Sequence, residues 1–413
     1  MERAPAPVEP VAPVQPVATE LPTPAPYGAV ERVLPPAPRV ALLLPLSGAN
    51  RRLGEAMLNA AQLAVFDLAG EDFELIVRDT MGSPEGARLA VQTAIAEGAR
   101  LVVGPLLATS TRAVVPETRP RGISVLTFSS DETVAETGVY VMGFAPQPQI
   151  RRLAGYAVSQ GLFRFAVLAP LSPYGQTVAT AFRDAVAQQG GVMSAVEYYD
   201  PGSADLHDVV RRLADYDHRK SGLEAQRAAL RQRGDEASQR ALRRLKNLDT
   251  LGDLPFEGLL LADGGARLRE VAPLLPFYDI DPARVRMLGT GQWDDPNVIT
   301  EPALHGGWFV APPPDARRDF MLRYRNTFGA PAPRLATLAY DTIALAAVLA
   351  RNAPEGAFTG ETLTQSSGFA GLDGLFRLRP DGTVDRGLAI LQVRPDGLVT
   401  ISPAPPDFET ATN

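Results

Sequence analysis

Arg39-Val-Ala-Leu-Leu-Leu-Pro-Leu-Ser-Gly48 decides the fold. An apolar run of strand length stops at a proline and a small hydroxyl–glycine pair. Two further stretches repeat the design: Leu-Val-Val-Gly-Pro-Leu-Leu-Ala-Thr-Ser-Thr at 101–111, and Ile-Ser-Val-Leu-Thr-Phe-Ser-Ser-Asp at 123–131. Strands buried on both faces read as continuous apolar runs, and loops at the carboxyl ends of parallel strands converge where ligands sit. The pattern points to a binding protein before it points to any ligand.

Outward from that stretch, strand and helix alternate. Val40–Leu44 reads as strand, Leu53–Leu68 as helix and Phe73–Val77 as strand. A helix opens at Ser83-Pro84 and stops before Gly98, with proline at its first position. Leu101–Val103 and Ile123–Phe128 follow as strands. The pattern restarts after Gln147: helix Ile150–Gln160, strand Arg164–Leu168, helix Thr177–Gln189, then strands Val192–Tyr198, Gly258–Leu261 and Arg286–Leu288. Helices near Ala316–Phe328 and Ala336–Leu349 precede strands Leu375–Leu378 and Leu388–Val393. The expected class is α/β in two lobes, each a mainly parallel sheet flanked by helices. The expected limits are 39–146 with 314–372 for lobe 1, and 147–313 with 373–404 for lobe 2, leaving 405–413 as a tail.

Two segments stand outside the alternation. Residues 1–38 carry a proline every two to four positions, which reads as a disordered polyproline II tether reaching on the order of 100 Å. Residues 206–251 form a polar insertion of helical periodicity, rich in arginine interspersed with acids. It reads either as a solvated helical hairpin or as a docking surface for a protein or an anionic polymer.

The chain has 413 residues, enough for two domains, and a net charge of −7, which argues against a nucleic-acid partner. No stretch approaches the roughly 18 consecutive apolar residues of a membrane span. There is no cysteine, so disulfides, thiolate metal sites and a lipidated cysteine are excluded in this chain. No signal peptide follows Met1; the expectation is a trimmed or misassigned start of an exported protein rather than a cytoplasmic one.

Enzyme motifs are missing. There is no G-x-x-x-x-G-K-[ST] and no G-x-S-x-G, and Gly289-Thr290-Gly291 is half of a dinucleotide fingerprint after a late strand. His207, His218 and His305 are scattered, which fits no metal site. Asp294-Asp295 reads as a loop turn or cap, and Asp341 as a buried structural acid in an apolar helix. No cofactor is expected.

Several residues together carry a resemblance. Leu-Leu-Pro-Leu-Ser-Gly (43–48), Asn59-Ala60-Ala61-Gln62-Leu63-Ala64, Asp79-Thr80, Val-Val-Gly-Pro (102–105), Pro173-Tyr174-Gly175 and Tyr340-Asp341-Thr342-Ile343-Ala344 occur in order. From about Arg39 to Pro403 the chain resembles the type I periplasmic binding protein fold, in its leucine/isoleucine/valine-binding branch. Within it, the polar insertion before Phe256-Glu257-Gly258-Leu259-Leu260-Leu261-Ala262, the stretch Ala266-Arg267-Leu268-Arg269 leading into Pro273-Leu274-Leu275, and the Pro-rich tether are similar to the penicillin-binding protein activators. Those are outer-membrane lipoproteins that stimulate a bifunctional peptidoglycan synthase, so the resemblance implies a periplasmic, membrane-tethered regulator acting on a bifunctional penicillin-binding protein. The alternative is the solute-binding protein of an ABC importer for amino acids or a related small polar ligand.

The resemblance also implies a cleft site. Hydroxyls of the first lobe (Ser47, Thr109, Ser110, Ser129, Ser130) would face a ligand carboxylate, and Tyr174 falls where the family has a tyrosine. Gln147 and Gln292 stand where acids for a ligand ammonium are expected, so Asp263 or Asp294 would have to substitute. Trp293 would stack on a ligand or fill the lobe interface. Losing both acids should weaken amino-acid binding severely, because an unpaired ammonium in a closed cleft costs several kcal/mol.

Overall fold

The computed structural model describes residues 38–352 and 355–408. Of the expected tether only Pro38 lies among them, and the last five residues of the tail lie outside. The chain divides into Met1–Pro36 and Ala37–Asn413, and the folded body belongs to the second unit.

The first sheet contains β1 (Arg39–Leu44), β2 (Glu74–Asp79), β3 (Leu101–Val103), β4 (Ser124–Thr127) and β5 (Val139–Val141). They run in the order β2-β1-β3-β4-β5, all parallel. The opening run explains itself here. Val40, Leu42 and Leu44 enter the core on one face of the sheet, and Ala41 and Leu43 enter the core on the other. Alternate residues point to opposite faces, so a strand with helices on both sides must be apolar at every position.

The second sheet repeats the winding with β6 (Arg164–Pro170), β7 (Val192–Tyr199), β8 (Gly258–Leu261), β9 (Arg286–Gly289) and β10 (Trp308–Ala311) in the parallel order β7-β6-β8-β9-β10. A small antiparallel sheet of β11 (Phe369–Gly371), β12 (Gly374–Leu378) and β13 (Val384–Arg386) follows. Then β14 (Ala389–Arg394) and β15 (Gly397–Ser402) close the second sheet beside β10, antiparallel. In both lobes the strand order reverses, between β1 and β3 and between β6 and β8. Crevices outside the carboxyl ends of strands at such a reversal are the usual ligand position of open α/β sheets.

The local chemistry of three strand–helix junctions fixes how closely the helices approach. Ser83 and Ser172 cap helices Pro84–Ala96 and Pro173–Gln188, each accepting from the backbone N–H three residues on, at 3.0 and 3.2 Å. Gly54, Gly86 and Gly175 sit in the first helical turn after β1, β2 and β6. A Cβ at these glycines would stand 2.1, 2.3 and 2.1 Å from the carbonyl oxygens of Pro45, Thr80 and Pro170. Only glycine lets these helix starts lie against the strand ends.

The lobe limits differ from the sequence expectation at one crossing. Residues 373–404 were expected in lobe 2, yet Phe376, Leu378 and Val384 belong to the first-lobe core. Gly382 O accepts from Val141 N at 2.9 Å, which seats the β12–β13 hairpin on the edge of β5. The return to lobe 2 therefore falls between Arg386 and Ala389. The polar insertion is helical, as His207–Leu213, Tyr216–Arg233 and Glu236–Leu245. Arg219, 7% exposed, fastens it by donating to Gly252 O at 3.0 Å and Asp279 Oδ2 at 2.7 Å. Arg227 caps the end of Glu236–Leu245 by donating to Leu245 O and, just beyond it, to Leu248 O.

Candidate functional site

The carboxyl ends of both sheets open on one cavity of about 1020 Å³. From the first lobe come Asn50 and Leu53 after β1, Leu106 and Leu107 after β3, Phe128 and Ser130 after β4, and Phe144 after β5. From the second come Tyr174 after β6, Gly264 and Gly265 after β8, and Gly291, Gln292, Asp294 and Asp295 after β9. Segments near the lobe crossings complete it with Arg317, Met321, Arg334, Leu335, Arg386 and Leu388.

Of the ten residues expected in the cleft, Ser130, Tyr174 and Asp294 line this cavity. The Tyr174 hydroxyl lies 3.0 Å from Thr290 Oγ1, and burial pushes its pKa up to about 12. The other seven are placed elsewhere. Ser47 bonds the Asp79 carboxylate, which also accepts from Leu46 N and Met81 N. Burial alone would raise that carboxyl, but these bonds outweigh it and hold Asp79 below its ordinary value. Thr109 is exposed on the first turn of helix Ala108–Thr118, whereas Ser110 is buried. The Ser129 hydroxyl accepts from Asp131 N at 3.1 Å, turning the loop. Gln147 is half-buried, and it is Gln149 that lines the cavity, accepting from Gly291 N at 2.8 Å and donating to Ala145 O at 3.0 Å. Asp263 accepts from Gly264 N at 2.8 Å and from the Tyr199 hydroxyl.

Trp293 is fully buried in the second-lobe core rather than at the cleft. Its indole lies over Gly289, where a Cβ would stand 2.2 Å from the ring, and beside Phe309 at a centroid distance of 6.2 Å. The missing side chain of Gly289 leaves the space that the indole fills.

Sequence reasoning reached Asp294 but missed the arginines and the second carboxylate grouped around it at the charged centre of the cavity. Asp294 Oδ2, on the second lobe, stands 2.5 Å from Arg317 Nη2 and 3.2 Å from Arg334 Nε, both on first-lobe segments. Arg334 Nη2 is also 2.9 Å from Asp373 Oδ1, close enough for charge attraction but off hydrogen-bonding geometry. Thr337 links the pair, accepting from Arg334 Nη1 at 2.8 Å and donating to Asp373 Oδ2 at 2.6 Å. Behind them Asp341 accepts from Leu372 N at 2.7 Å and Asp373 N at 3.1 Å. Burial and the neighbouring Asp373 carboxylate push its pKa up to about 7.

Arg386 differs from the other two arginines. Its guanidinium lies over the rings of Phe144, at 5.0 Å, and Phe376, at 5.7 Å, and it donates to Met142 O. Among the described residues no carboxylate oxygen comes within ion-pair distance of it. Asp373 and Asp341 act on it through space, against the burial that lowers its pKa. Arg334 stacks on Phe144 at 4.2 Å.

A family model described as periplasmic binding protein matches residues 38–397, and the chain belongs to that family. Its fold is that of solved structures across nearly their whole lengths. A Rhodospirillum rubrum protein assigned to branched-chain amino acid ABC transport is 19% identical, with a TM-score of 0.70 over 88% of this chain and 100% of the other. The substrate binding protein LivJ of Streptococcus pneumoniae, in complex with isoleucine, is 16% identical, with a TM-score of 0.59 over 89% and 100%. A solute binding protein of an ABC transporter from R. palustris, in complex with benzoate, is 16% identical, with a TM-score of 0.60 over 90% and 97%. A curated relative, Uncharacterized protein RP748 of Rickettsia prowazekii (strain Madrid E), is 24% identical over 176 residues, 42% of this chain and 47% of that protein.

Proposed function

We propose that this chain is a non-enzymatic periplasmic solute-binding protein of an ABC importer, closing two lobes on one small organic ligand. The observation that carries this reading is the cavity of about 1020 Å³ built by strand ends of both lobes, large enough for a drug-sized molecule. The crossings between lobes leave room for hinge motion. The transport binding proteins of the same fold support this reading, and it takes precedence over the penicillin-binding protein activator suggested by sequence. A thermal-shift screen of the full chain against amino acids, organic acids and short peptides tests it. A ligand at 100 times its Kd adds about 2.7 kcal/mol to stability. Silence across all three classes would sink the reading.

One observation favours the activator as a second reading. The arm Glu236–Leu245 exposes Arg240, Arg243 and Arg244, a surface suited to an acidic protein partner. Retention on an immobilised bifunctional penicillin-binding protein at low salt would support it, and membrane tethering would accompany it.

A further inference from the structure

We infer that the cleft takes an organic carboxylate with an apolar or aromatic body and no ammonium group, anchored at Arg386. This rests on the solute-binding reading and names its ligand class. Among the charged residues that line the cavity, three arginines (Arg317, Arg334, Arg386) face two aspartates (Asp294, Asp295), an excess that favours an anion. Arg386 lines the cavity and has the Met142 carbonyl as its hydrogen-bond partner, while its buried Nε meets no acceptor among the described residues. Arg317, also lining the cavity, buries an Nη1 that has no hydrogen-bond acceptor. Guanidinium groups removed from water demand anionic partners, and a carboxylate matches their planar fork.

For a cation the same cavity is poorly equipped. Asp294 is the carboxylate best placed to hold an ammonium, and its Oδ2 is engaged by Arg317 and Arg334. Asp295 uses Oδ1 for Asn297 N and Asn297 Nδ2, both at 2.8 Å. Asp263 lies outside the lining and serves Gly264 and Tyr199. An ammonium would enter a field of three guanidinium groups beside two lining acids that are each already engaged through one oxygen, a costly burial. The wall suits a hydrocarbon body, since Leu107, Phe128, Phe144 and Leu335 offer apolar surface.

The test uses six probes on the full chain by isothermal titration, with two bodies in three charge forms. They are 4-methylpentanoate, leucine and isopentylamine, and 3-phenylpropanoate, phenylalanine and phenethylamine. At least one carboxylate should bind, about tenfold or more tighter than its amino-acid counterpart, with the amines silent. R386Q should weaken that carboxylate by at least about tenfold and R386K should recover part of the loss. An amino acid binding as tightly as its deaminated partner would overturn the ligand class and leave the solute-binding reading standing. Silence from all six would overturn the ligand class, and the solute-binding reading would then stand or fall on the wider thermal-shift screen.

Discussion

Asp294 ties the lobes together, and removing its charge should loosen them. The carboxylate is on the loop after β9 and its two arginines are on first-lobe segments. The side chains of Asp294 and Arg317 are only 7% and 11% exposed. Removing one partner of a buried pair costs about 3–5 kcal/mol, because the other charge stays buried. Here Asp373 remains 2.9 Å from Arg334 and 3.9 Å from Arg317, so D294N should cost less, about 2–3 kcal/mol. At about 1.4 kcal/mol per tenfold, the balance between docked and separated lobes should move by roughly 30- to 150-fold. The loss falls on the contact between lobes and on neither core. The chain has no cysteine, so F66C on the first lobe and V192C on the second would carry a unique dye pair. Energy transfer between the dyes should fall in D294N, while the urea midpoints of the two cores change little. An unchanged transfer distribution would refute the inter-lobe role of Asp294.

The buried acid Asp341 should make stability fall with rising pH. Its folded value, about 7, lies above the ordinary 3.8, so the folded state holds the extra proton between those values. The contribution is fully present below about pH 4 and is lost as pH rises through 7; Glu132, also raised by burial, acts in the same sense. Urea midpoints at pH 5 and 8 should differ less in D341N, which has no proton to lose and surrenders one backbone bond worth about 1–3 kcal/mol at either pH. G54A and G175A should each cost about 1–3 kcal/mol or more, because the added methyl meets a backbone carbonyl. G155A, with open space at its Cβ inside helix Pro146–Ser159, should instead stabilise by up to about 1 kcal/mol, and urea melts of the three variants check the contrast. R219M should release the helical insertion by removing its tie to Asp279 and Gly252, seen as faster hydrogen exchange over 216–245 with the rest of the body unchanged.

The fold was legible because its strands are buried on both faces. A run such as Val40–Leu44 has no other use for five consecutive apolar residues, and the Ser83-Pro84 pair marks a helix start by chemistry alone; the same pair at 172–173 opens a helix that the sequence reading began only at Thr177. What escaped was short or irregular. β5 and β10, with three and four residues, were not recognised although β3 and β8 are as short, and the β12–β13 hairpin carries nothing local to say which lobe it joins. The site was legible only where it follows a strand, as Ser130 and Tyr174 do. Trp293 also follows a strand, and an aromatic there reads as a ligand platform; the signal against it was Gly289 four residues earlier, a gap large enough for an indole. Arg317, Arg334, Asp373 and Arg386 could not be found this way. Each comes from a different stretch near a lobe crossing, and one arginine among 40 basic residues announces nothing. They meet because the chain passes repeatedly between the lobes, so their chemistry is a product of topology rather than of any motif. The same fact gives them leverage. Groups at the crossings touch both lobes, so a ligand held by Arg386, beside arginines already committed to Asp294, would act on the hinge as well as on the cleft. On that proposal affinity and closure would be coupled through one cluster, and a change at Asp294 should alter ligand affinity even where it touches no ligand atom.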